Sequence, residues 1–166
     1  MVDLSKFVEK GLQLGALYLD IRVEKHQKES VLAEDGEAKE ASHSIEQGVG
    51  VRALAGGSWG FSASRLHGGM GKRLVSRAVE DAVRMAKAVK GSSGKVELAE
   101  VKAVRDEVAA KVRIRPEEIS LRQKMRLCME SSGRMLRYSP QVKRTFSSIS
   151  SCLLYTSDAA DEEDSV

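Results

Sequence analysis

Apolar residues of this chain recur first at helical spacing. Leu4, Phe7, Val8 and Leu12 fall on one face of a helix over Asp3–Leu14, which Gly11 weakens and Gly15 is placed to end. The period then changes. Leu17, Leu19, Ile21 and Val23 alternate with polar or amphipathic neighbours, which predicts a strand with one buried face over Leu17–Glu24. A second strand is expected around Glu29–Ala33, reversing at Asp35-Gly36, a dipeptide that accepts the positive φ angles of a tight hairpin. Glu37–Ile45 would return, and Gly48–Leu54 would run on to a second hairpin at Gly56-Gly57. Trp59, Phe61 and Ala63 share a face of the strand that follows, so the region reads as an antiparallel meander of four or five strands.

The clearest helix covers Arg73–Val89. Leu74, Val75, Ala78, Val79, Ala82, Val83, Ala86 and Val89 form a continuous stripe, with Arg77, Glu80, Asp81, Arg84 and Lys87 outside it. Lys90–Lys95 reads as a flexible connector, and Val108, Val112 and Ile114 hint at a strand in an otherwise ambiguous stretch. Pro116 breaks that pattern, with Glu117 and Glu118 placed as charges favoured at a helix start. Ser120-Leu121-Arg122-Gln123 fits a capping box that opens a helix through Met125, Cys128 and Met129 to Met135 or Leu136, stopped by Ser139-Pro140. Val142–Ile149 alternates again as a last strand. The expected fold class is α+β, a mostly antiparallel sheet with helices packed on one face, without internal repeats.

Composition narrows the setting. With 42% hydrophobic residues the 166-residue chain can bury a core, but only 4% are aromatic, so aliphatic side chains must fill it. No run reaches the roughly 18 apolar residues of a membrane span, and the start Met1-Val2-Asp3-Leu4-Ser5-Lys6 lacks the regions of a signal peptide. Cys128 and Cys152 give neither a disulfide framework nor metal-ligand spacing, and a cytoplasmic location is expected.

The net charge of +3 hides an asymmetry, because residues 152–166 carry five acids and no base. Taking these five from the chain's 24 acids leaves 19 against 27 bases, a net +8 for residues 1–151. Such a surplus suits a basic nucleic-acid-binding module, yet the bases are interleaved with acids and no basic-aromatic block occurs. The string from Cys152 to Asp161 (Cys-Leu-Leu-Tyr-Thr-Ser-Asp-Ala-Ala-Asp) matches a one-frame translation of transposase adapter DNA used in sequencing-library preparation. The expected organisation is therefore one domain over 1–151 with a non-native, adapter-derived tail over 152–166, the gene running on beyond Ser151.

No reactive constellation emerges along the chain. None of His26, His43 and His67 has another ligand type at a helical metal spacing, and no His-Glu dipeptide occurs, so all three read as surface histidines. Gly-x-Ser-x-Gly is absent, and Cys128 lies on an apolar stripe, where a buried, inert thiol is expected. Gly71-Lys72 fails as a phosphate loop because Leu66 and Arg73 stand where Gly and Ser or Thr are needed. Gly48-Val49-Gly50 lacks the third glycine of a dinucleotide fingerprint and does not open a helix. No catalytic, cofactor-binding or metal residue is assigned.

Several segments, in order, resemble the N-terminal domain of the TldD/PmbA (TldD/TldE) metallopeptidase family. They are Asp20–Glu24, Glu34-Asp35-Gly36, Ser44–Ala53 with its Gly-x-Gly-x-Arg strand, Trp59–Ser62, Ala78–Ala86 and Arg115–Leu121. The stretch His67–Gly71 departs from the family's short polar helix cap, and Ser44–Arg52 is closer to the TldD kind. The resemblance implies a zinc-dependent peptidase acting on peptides or unfolded segments, assembled from TldD-type and PmbA/TldE-type subunits. It also implies a metal held by a His-Glu-x-x-x-His helix that this chain does not contain. Residues 1–151 are accordingly expected to serve assembly and the substrate chamber without catalysis, binding no zinc themselves. The alternative within the family is the N-terminal domain of the non-catalytic PmbA/TldE-type partner. An edge strand left open could pair with an extended peptide.

Overall fold

A computed structural model describes residues 3–67, 71–89, 96, 98–99 and 106–160. The elements run α1 (Ser5–Gln13), β1 (Tyr18–Glu34), β2 (Glu37–Ala55), β3 (Ser58–Leu66), α2 (Lys72–Ala88), a 3-10 turn (Pro116–Glu118), α3 (Leu121–Leu136) and β4 (Phe146–Ala160). The fold is α+β, an antiparallel sheet of order β3-β2-β1-β4 with three helices packed against it. Contacts divide the chain into two units. The first holds Met1–Lys25, Glu46–Glu107 and Tyr155–Val166; the second holds His26–Ile45 and Val108–Leu154.

Both predicted hairpins form. Asp35 and Gly36 take φ of 52° and 86°, and Gly56 and Gly57 take 59° and 77°, the left-handed angles such turns need. The strands between them, however, are fewer and longer than the sequence pattern implies. Tyr18–Glu24 and Glu29–Ala33 belong to one strand, as do Glu37–Ile45 and Gly48–Leu54, so the meander has three strands rather than four or five. The polar stretches Lys25–Lys28 and Ser42–Gln47 interrupt apolar alternation without interrupting backbone pairing, because ladder hydrogen bonds need no particular side chain.

In the first unit, Leu19 and Ile21 of β1 and Val49, Val51, Ala53 and Ala55 of β2 meet Leu4 and Val8 of α1 and the stripe Val75, Ala78, Val79, Ala82, Val83 and Ala86 of α2. The two ends of the predicted α2 stripe, Leu74 and Val89, are exposed, as is Leu17 ahead of β1. Gly11 proves to be a packing position: a Cβ there would lie 2.2 Å from Leu19 Cδ1. Lys87 Nζ donates to the carbonyl of Leu14 at 2.6 Å, placing a cation at the end of α1 where the helix dipole favours one.

The second unit is built differently. Its apolar core is small: Val31, Ala33 and Cys128, with Leu121, Met125, Met129 and Ile149 against them. Polar groups complete the interior. Ser132 Oγ donates to Cys128 O at 2.9 Å and accepts from Gly36 N at 3.0 Å. Thr145 Oγ1 donates to Ser132 O at 2.9 Å, while Thr145 N donates to Asp35 Oδ1 at 2.7 Å. The capping box forms as predicted, Gln123 N reaching Ser120 Oγ at 3.3 Å and Ser120 N reaching Gln123 Oε1 at 2.9 Å.

Two expectations are corrected here. Residues 106–112 form no strand, and Val108, Val112 and Ile114 are exposed. The last strand starts at Phe146 rather than Val142 and runs to Ala160, well past Ile149. The connector Lys90–Lys95 and Gly68–Met70 of the departing stretch lie outside the described residues.

Candidate functional site

Two side-chain clusters stand out, one in each unit. In the first, the clue is Gly60. A Cβ at Gly60 would lie 2.0 Å from Ala82 O and 2.5 Å from Ala86 N, so α2 rests directly on the β3 backbone there. Alternation along a strand then turns Trp59, Phe61 and Ala63 to the opposite side of the sheet. The three do share a face, as their spacing predicts, but it is the solvent face: Trp59 is 41% and Phe61 62% exposed.

Register brings Leu54 opposite Trp59 and Arg52 opposite Phe61. The Arg52 guanidinium lies 5.2 Å from the centroid of the Trp59 ring, and the Tyr18 ring meets Trp59 edge-on at 5.9 Å and 80°. Asp20 fixes the arginine, its Oδ2 accepting from Arg52 Nε at 2.8 Å and lying 2.6 Å from Nη2. Partial burial, with the neighbouring Asp20 charge, raises the Tyr18 hydroxyl above its ordinary value. The resulting surface is flat, aromatic and cation-bearing, with its arginine already oriented. Trp, Tyr and Arg are the residues that most often dominate protein–protein contacts. Nothing in the arrangement supplies a nucleophile with a base beside it.

The cluster of the second unit centres on Lys124, whose side chain is 5% exposed. Its ammonium is bonded to Glu29 Oε2 and lies 3.4 Å from Ser151 Oγ. The other oxygen of Glu29 stands 3.3 Å from His43 Nδ1. The hydrogen bond from Lys124 holds the Glu29 carboxyl below its ordinary value, against an opposing effect of burial; the Lys124 charge and His43 add smaller effects. Lys124, Cys128 and Ser132 share the inward face of α3 at successive four-residue steps. Sequence reading follows the apolar members of that face and misses the lysine. The one available signal is a lysine four residues before a buried cysteine on the same helical row.

The remaining candidates scatter. His26 lies within β1, His43 is exposed on β2 beside Glu29, and His67 is exposed just after β3. Cys128 is buried, as expected, and Cys152 is exposed. Among the described residues no group of three or more His, Cys, Asp or Glu could hold a metal ion. The closest approach, His43 with Glu29, already has an ammonium on the carboxylate where a cation would sit. These residues do not fit a zinc ion.

Several of the bases are paired with acids. Arg22 faces Asp158, Arg65 faces Glu46, Arg84 faces Asp81, and Arg144 and Lys10 are bonded to Glu34 and Glu80. No helix among the described residues is long and apolar enough to cross a membrane.

Comparison with known proteins gives a consistent picture. Residues 19–88 match the family described as PmbA/TldA metallopeptidase domain 1. A metalloprotease of Methanocaldococcus jannaschii is 28% identical over 136 residues, covering 81% of this chain and 29% of its own length. Among solved structures, TldE from Thermococcus kodakarensis aligns over 95% of this chain and 37% of its own, with a TM-score of 0.60 and 15% identity. A proposed modulator of DNA gyrase from Bacteroides thetaiotaomicron aligns over 94% of this chain and 35% of its own, with a TM-score of 0.71 and 10% identity. The chain thus spans about a third of the length of these relatives.

Proposed function

We propose that this chain, whose residues 19–88 match the model of PmbA/TldA metallopeptidase domain 1, serves the assembly and the substrate chamber of a cytoplasmic, TldD-like, zinc-dependent peptidase that acts on peptides or unfolded segments. The groups that hold the metal and activate water belong, on this reading, outside residues 1–151. Residues 152–166 are read as an adapter-derived tail, which the codons of an intact genomic copy test.

The observation that supports an assembly role is the exposed Tyr18–Arg52–Trp59–Phe61 face of the first unit. Two large aromatic side chains are held outward there beside an arginine whose geometry Asp20 has already fixed. A partner covering that face gains the aromatic area and loses little side-chain freedom, since the ion pair and ring contacts are formed beforehand.

The test is association with a full-length PmbA/TldE-type subunit, followed by calorimetry. Trp59→Ala and Phe61→Ala should each weaken binding at least about tenfold, the size of effect expected at a central aromatic anchor. Unchanged affinity in both variants would remove this face from the assembly. Binding to a TldD-type subunit instead would assign the chain to the non-catalytic partner. The purified chain alone should release no chelator-sensitive peptide products, and a robust chelator-inhibited rate would overturn the non-catalytic reading.

A further inference from the structure

β2 is longer than the strand beside it. The ladder with β3 covers Gln47–Ala55, whereas β2 begins at Glu37. In the order β3-β2-β1-β4, Glu37–Ile45 has β1 on one side, and among the described residues no strand flanks the other. Every residue of this stretch is exposed. Open edges are usually guarded by charge, and Lys39 and Glu40 stand on this one. The same unit holds a segment with the pattern of a strand and no strand partner among the described residues. Val108, Ala110, Val112 and Ile114 alternate there with Ala109, Lys111 and Arg113. The segment is neither helix nor strand and is exposed throughout, Val108 at 88%.

We propose that these two features fit each other between chains. Val108–Ile114 of one copy adds as an antiparallel strand to the Glu37–Ile45 edge of a second copy, and the second copy does the same in return. The register that sets Arg113 opposite Glu40 also sets Val112 opposite Ala41 and Val108 opposite Ile45. The charge of Glu40 that turns other strands away thereby selects this one. Pairing within one chain would have a far higher effective concentration than pairing between two. The segments nonetheless stay apart in the single chain, so its geometry leaves both of them for a second copy. A two-fold exchange makes each contact twice, which doubles the weight of modest cross-strand pairs. The inference stands apart from the assembly role, because it concerns the β2 edge of the second unit and not the Trp59 face.

The experiment is sedimentation equilibrium on the whole chain at up to about 100 μM, unsubstituted and carrying Glu40→Arg, Arg113→Glu or both. The unsubstituted chain should dimerise. Each single reversal should weaken the dimer at least about tenfold, and the combined reversal should restore it to within about threefold. A chain that stays monomeric, or a dimer indifferent to both reversals, overturns the proposal. So does a dimer lost in Trp59→Ala and kept in Arg113→Glu, which would place the contact on the aromatic face. Should a reversal lose its fold by circular dichroism, hydrogen exchange on the unsubstituted chain decides. Amides of 108–114 should exchange at least about tenfold more slowly at about 100 μM than at about 1 μM, and equal rates overturn the proposal.

Discussion

The two units of this protein reach order by different means. The first is closed by apolar packing: Leu19, Ile21, Val51, Val75 and Val79 are wholly buried, and α2 sits so close to β3 that only glycine fits at position 60. The second has three fully buried apolar residues and fills the rest of its interior with Ser132, Thr145, Asp35 and the Lys124–Glu29 pair. An apolar core tolerates exchange of one hydrocarbon for another of similar volume. A polar interior does not, because each donor there has one matching acceptor and a lost partner leaves the other desolvated. Loss of volume should therefore damage the first unit most, and loss of a single oxygen atom should damage the second.

Leu19→Ala should give the largest effect, about 3 kcal/mol of stability lost in denaturant unfolding, from the cavity beneath α1 and α2. If the loss is under about 1 kcal/mol, the core of the first unit is not what holds it. Gly60→Ala should follow at about 2 kcal/mol, since the added methyl meets backbone atoms of α2 that cannot rotate aside; near-neutrality would mean the helix sits farther from β3.

In the second unit Ser132→Ala removes one oxygen and strands the Gly36 N–H. About 1–2 kcal/mol should be lost, against well under 1 kcal/mol for a volume-conserving Met125→Leu. The reverse order would erase the contrast between the units. Ser120→Ala, which opens the capping box of α3, should cost about 1 kcal/mol.

Acid should act on the second unit, and weakly. Glu29 in the folded chain titrates below its ordinary value of 4.5, chiefly through its hydrogen bond from Lys124. The carboxylate therefore contributes its stabilisation fully above that ordinary value and loses it as pH falls through the lower, folded-state one. Melting temperatures recorded between about pH 6 and pH 3 should fall less steeply in Lys124→Met than in the unsubstituted chain. Parallel curves would show that the pair adds nothing to the acid limb.

Much of the fold is legible along the chain. The helix at α2 announces itself by an unbroken stripe, the hairpins by Asp35-Gly36 and Gly56-Gly57, and α3 by Ser120 and Gln123. Strand length is not legible in the same way, because the pairing of Lys25–Lys28 and Ser42–Gln47 depends on the neighbouring backbone and leaves no mark on side-chain pattern. The exposed aromatic face is half legible: spacing places Trp59 and Phe61 together, and β-strand statistics send such residues inward. Gly60 reverses that, and its meaning appears only when α2 is seen lying on it.

The order of elements, the turn positions and the common face of Trp59 and Phe61 were settled by sequence alone, since each follows from local backbone preference or a repeat of two or 3.6 residues. Which side of the sheet is dry, which lysine is buried and which histidine meets a carboxylate were decided only by the folded chain. Lys124 and Glu29 are separated by 95 positions. An ammonium enters a protein interior only where a carboxylate has been brought to meet it, and no local pattern encodes that meeting.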